Sequence, residues 1–123
     1  MAIHHAVSGE MVDVRPITGK IESTLSRALY KSKRLQVFRM FLEAGKVIPE
    51  HQVPGELTVQ CLEGSVELSV KGVIRLMRPG DLICVAGGAA HALKGVEDGS
   101  VLVTLLLHPR RAEQGKSSRL DEC

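Results

Sequence analysis

The chain has 123 residues, 44% of them apolar, with a net charge of +2. That length predicts one domain with a core large enough to need neither disulfides nor a structural metal, and so small a net charge gives no reason to expect a polyanion partner. One Tyr, two Phe and no Trp leave almost no platform on which bases could stack, so nucleic-acid binding is not expected.

The opening residues, MAIHHAVSGEMVDVRP, hold no apolar run of signal-peptide length. They read as a polar arm carrying His4 and His5, leading into a short strand from Val12 to Val14. The stretch TGKIESTLSRALYKS predicts a helical turn and then a strand near Arg27–Lys31. Between Arg15 and Arg39, seven basic residues are opposed by the single acid Glu22. The expectation is a solvated edge whose charges discourage aggregation; an anionic ligand or partner is the alternative. RLQVFRMFLEAGKVI alternates, with Leu35, Val37, Arg39 and Phe41 on one face and Gln36, Phe38, Met40 and Leu42 on the other. That two-residue period predicts a strand, and Met40 and Met77 read as core filler.

LTVQCLEG predicts a strand closed by a glycine turn at Gly64. In SVELSVKGVIRLM, alternation on both sides of Lys71-Gly72 predicts a tight hairpin. RPGD follows as a type II turn. LICVA reads as a short buried strand, GGAAHALKG as a glycine-rich turn into another, and EDGS as the last turn before a strand over Val101–Leu107 that Pro109 stops. The polar end, RRAEQGKSSRLDEC, is expected to fray. Many short strands with turn signals between them predict a sandwich or barrel. The expected organisation is an arm with leading strands over 1–34, a barrel core over 35–108 and a tail over 109–123.

The three cysteines fit no disulfide framework, so reduced thiols and a cytoplasmic location are expected. Cys61 and Cys84 read as small buried hydrophobes. The longest strongly apolar run, VLVTLLL, is too short to cross a bilayer, and no membrane partner is expected.

Two spaced motifs then carry a resemblance. Gly45 is followed after five residues by His51, then by Val53, Leu57 and a closing Gly64. Gly80 is followed after five residues by Ala86, then by Gly88, His91 and Gly95. In glycines, spacing and one histidine each, these resemble the two motifs of the cupin superfamily over about Leu35 to His108. The resemblance implies an all-β, double-stranded β-helix or jelly-roll barrel. It does not choose among the dioxygenases, isomerases, epimerases, storage proteins and sensors that share that fold. Metal-binding cupins hold a divalent ion with three histidines and a glutamate. Here Val53 stands at the second histidine position, Leu57 at the glutamate position, Ala86 at a proline position and Gly95 at an asparagine position. Gly87-Gly88 replaces a stiff proline turn, which would either widen the pocket mouth or be tolerated.

His51 and His91 are therefore the expected metal ligands, for one divalent transition metal such as Fe, Mn, Ni or Zn. Glu56 lies one residue before the glutamate position; in a regular strand it faces away, and a bulge after Pro54-Gly55 would turn it inward. With Leu57 inward, Val59 and Cys61 are inward too; in the bulged register Glu56, Thr58 and Gln60 are. His108 is a further candidate ligand. The expected ligand-binding set is His51, Gln60, His91, Glu56 and Cys61. The function expected is binding of a small organic molecule in the barrel by a homodimer, paired through edge strands. A metal-dependent dioxygenase or isomerase is the alternative, and a non-catalytic sensor or partner protein a third.

Overall fold

A computed structural model describes residues 5–107 of the chain. His4, His108 and the expected tail lie outside the described residues. After an irregular arm and one 3-10 turn at Ser23–Leu25 come seven strands: β1 (Arg27–Lys31), β2 (Leu35–Leu42), β3 (Val47–His51), β4 (Leu57–Val70), β5 (Val73–Met77), β6 (Leu82–Val85) and β7 (His91–Leu106). All pairings are antiparallel. The turn at Ser23–Leu25 and β1 stand where the sequence places them; Val12 to Val14 is not a strand.

The sequence reading breaks the chain at Gly64 and again at the EDGS segment, but no strand ends at either place. β4 and β7 run through those positions as a long pair, irregular only between Cys61 and Val66. That irregularity bends both strands, so each serves two layers. The second half of β7 pairs with β2, from Leu42↔Gly99 to Leu35↔Leu106, and its first half pairs with β3. The first half of β4 pairs with β6 and its second half with β5. The result is one layer of β1-β2-β7-β4-β6 facing another of β3-β7-β4-β5, which is a jelly-roll barrel. Where the bent strands cross, a Cβ on Gly64 would collide with the Asp98 carbonyl oxygen, and one on Gly99 with that of Glu63. Two glycines let the backbones touch, and the turn chemistry of EDGS is absorbed into the bend.

The expected hairpin is present. Lys71 and Gly72 both have positive φ, 51° and 82°, as a two-residue turn between β4 and β5 requires. In RPGD the Asp81 amide donates to the Arg78 carbonyl at 2.9 Å, closing the expected turn. β6 differs from expectation: Leu82 is 56% exposed and Cys84 is exposed, with only Val85 fully buried. It is an edge strand and its outer face is uncovered.

The core between the layers contains Leu42, Val59, Cys61, Val66, Leu68, Met77, Val85 and Val101. Phe38 and Met40 reach it from the inner face of β2. On the outer face of β2, Arg39 is buried, not solvated. Its guanidinium pairs with Glu63 of β4 at 2.7 Å, donates from Nε to Ser100 Oγ of β7 at 3.1 Å, and donates to the Arg15 carbonyl of the arm at 2.9 Å. The Ile17 amide donates to the same carboxylate at 3.0 Å. The arm is thus fastened over the β1–β2 face by one charge-assisted network.

Candidate functional site

Antiparallel pairing of β3 with β7 sets His51 directly opposite His91 in the register. Residues forty apart along the chain become neighbours, with ring centroids 4.3 Å apart and planes at 57°. His91 is buried and His51 exposed, so the pair runs from the interior to the mouth of a cavity. That cavity is about 70 Å³ and, apart from the two rings, its walls are apolar, among them Phe38, Met40, Leu57, Val59 and Val103.

Each ring is anchored in the same way. His51 Nδ1 lies 3.0 Å from the Pro49 carbonyl oxygen, and His91 Nδ1 lies 2.9 Å from that of Ala89. A carbonyl oxygen only accepts, so each Nδ1 carries the proton and, in the neutral ring, each Nε2 keeps its lone pair. Backbone anchoring of this kind orients an imidazole to accept a hydrogen bond or a metal at its other nitrogen.

The remaining expected ligand-binding residues are not brought to this cavity. The irregularities of β4 lie after Cys61, so residues 57–61 keep the regular register. Leu57 and Val59 face inward, and half-buried Gln60 is on the opposite face, outside the cavity lining. No bulge turns Glu56 inward; it lies outside the lining, and its backbone carbonyl accepts from the Leu106 amide at 3.0 Å. Cys61 points inward but deeper, packed in the core with Sγ 3.5 Å from the Glu63 carbonyl oxygen. Burial raises its pKa above the ordinary thiol value, against the opposing pull of that hydrogen bond. The raised value stabilises the fold below the ordinary thiol range and that contribution fades as pH rises through the native value. Iodoacetamide at pH 8 is therefore expected to label exposed Cys84 and spare Cys61 until denaturant is added, as peptide mass mapping would show; early labelling of Cys61 would contradict its burial.

The cavity walls contributed by Ile48 and Leu93 were not singled out in the sequence, whereas the alternation of β2 places Phe38 and Met40 on one face, which the structure turns to the cavity. The Gly87-Gly88 turn is not loose. A Cβ on Gly87 would strike the Pro54 carbonyl, and the Gly88 amide donates to the Val53 carbonyl at 2.8 Å. The loops of the two motifs are closed on each other at the mouth.

Residues 38–108 match the family described as the cupin domain. The chain belongs to the cupin family. Among solved cupin-like structures, a conserved protein of unknown function from Streptococcus pyogenes superposes with a TM-score of 0.69 at 23% identity, covering 89% of this chain and 97% of that one. An RmlC-like cupin from Shewanella frigidimarina gives 0.66 at 19%, covering 89% and 95%. KdgF from a Halomonas species gives 0.62 at 22%, covering 70% and 80%. No curated protein matches the chain. At these identities the likeness is one of fold. No helix among the described residues is long and apolar enough to cross a membrane.

The cupin metal pattern can be tested on this chain's own side chains. Val53 and Leu57, at the second histidine and the glutamate positions, both line the cavity with hydrocarbon. Among the described residues no three His, Cys, Asp or Glu side chains gather at one point. Two imidazoles leave most of a coordination shell to water, so the donor set among the described residues does not fit a resident catalytic ion, which needs about three protein ligands.

Proposed function

We propose that this cupin binds a small organic molecule at the mouth of its barrel, with His51 and His91 as hydrogen-bond acceptors and the hydrocarbon walls taking an apolar group. The observation that supports this reading is the matched anchoring of both Nδ1 atoms on backbone carbonyls, 3.0 and 2.9 Å away, which leaves two Nε2 lone pairs beside one apolar cavity. An acceptor pair in an apolar surround selects a hydroxyl or N–H group, because a guest without a donor would strip the nitrogens of water and return nothing. The cavity of about 70 Å³ is small beside the roughly 300–1,000 Å³ of sites that enclose a drug-sized ligand. The barrel therefore takes one apolar arm of the ligand, and the rest lies at the exposed His51 edge.

The test is long-range ¹H–¹⁵N NMR of the tag-free protein titrated with small alcohols from ethanol to phenol. Both rings are expected to be Nδ1–H tautomers whose Nε2 resonances move saturably, and His91→Ala is expected to abolish the effect. Nε2 resonances that stay fixed with every alcohol would refute the reading. The expected ions are covered by a parallel measurement: dialysis against iron(II), manganese, nickel or zinc followed by elemental analysis is expected to leave well below one ion per chain. A stoichiometric ion lost in His51→Ala would replace the acceptor pair with a metal site.

A further inference from the structure

A second, larger cavity lies outside the barrel, between the arm and the outer face of β1 and β2. It measures about 440 Å³, in the range of sites that enclose a small ligand. Its floor holds an unusual pair: Arg27 of β1 and Arg39 of β2 are directly opposed in the register and both line the cavity. Like charges facing each other across a strand pair destabilise it unless something answers them. Arg39 is answered by Glu63, yet its side chain is only 7% exposed and its Nη1 has no hydrogen-bond partner among the described residues. Arg27 makes no ion pair among the described residues. The guanidinium of Arg15, at the rim, has among the described residues an exposed contact to Asp13 at 3.5 Å, which is weak.

Three guanidinium groups against two carboxylates, Asp13 at the rim and Glu63 behind Arg39, leave one positive charge in excess. That excess suits a monoanion. The walls between the charges are Ile17, Leu25, Leu29 and Phe41, which suit an apolar body and not a bare inorganic ion. We propose that this outer cavity is a second binding site, for an organic monocarboxylate whose carboxylate lies between Arg27 and Arg39 and whose apolar body rests on Leu29 and Phe41. The basic stretch from Arg15 to Arg39 then has a ligand to serve, and the site is independent of the barrel histidines.

The experiment is a titration of the full chain with sodium benzoate at fixed ionic strength, read by backbone ¹H–¹⁵N NMR, with benzyl alcohol as the neutral control. Benzoate is expected to move the amides of Ile17, Thr18, Arg27 and Arg39 saturably, and benzyl alcohol to leave them unmoved. Arg27→Ala, at an exposed position that the fold does not need, is expected to weaken benzoate about tenfold, the usual scale for a lost charge-assisted contact. Absence of saturable shifts into the millimolar range, equal shifts with benzyl alcohol, or shifts unchanged in Arg27→Ala would each overturn the proposal.

Discussion

Glu63→Ala is expected to lower the unfolding free energy, measured by urea titration, by about 3–5 kcal/mol, the scale of a buried ion pair broken on one side. The size of the effect comes from what is left behind. Arg39 is 7% exposed and Glu63 12%, so without the carboxylate the guanidinium stays in a poorly hydrated place with no counter-charge, left among the described residues with Ser100 Oγ, the Arg15 carbonyl and the face of the Phe41 ring as partners. Ser100 loses its acceptor and the Ile17 amide loses its own. The arm is then released at Ile17, while Arg15 keeps its contact with Arg39. Replacing both charges, Arg39→Met with Glu63→Leu, is expected to recover part of the loss, because no buried charge remains while the arm still lacks its anchors. A single variant costing under about 1 kcal/mol would mean that the pair behaves as a surface pair.

Gly64→Ala is expected to lower the Tm by about 10–20 °C, corresponding to a loss of roughly 3 kcal/mol in a domain of this size. Its backbone is in the left-handed region, with φ +69°, and a methyl there would meet the Asp98 carbonyl and the Gly99 Cα, which are main-chain atoms of the other long strand. Neither can swing aside as a side chain can. Gly72→Ala is the control. It has φ +82° but nothing near the added Cβ, so it should show only the left-handed penalty of about 1–2 kcal/mol. Equal losses for the two variants, by thermal circular dichroism, would show that the crossing of β4 and β7 does not need the missing side chain.

The strand at Leu35–Leu42, the Lys71-Gly72 hairpin and the RPGD turn were legible because alternation and turn chemistry are local: a few neighbouring residues decide them. The spacing of the two motifs around His51 and His91 was legible for the same reason, and it carried the cupin resemblance. The tertiary structure decided what local patterns cannot express. It ran β4 and β7 unbroken through Gly64 and EDGS, since a glycine that looks like a turn in sequence can equally be the point where two backbones touch. It turned Gln60 and Glu56 away from the cavity, since a strand's facing depends on its register with partners far along the chain. It also buried Arg39 against Glu63 and Ser100, since the residues that neutralise a charge are chosen by pairing across strands and not by proximity along the chain.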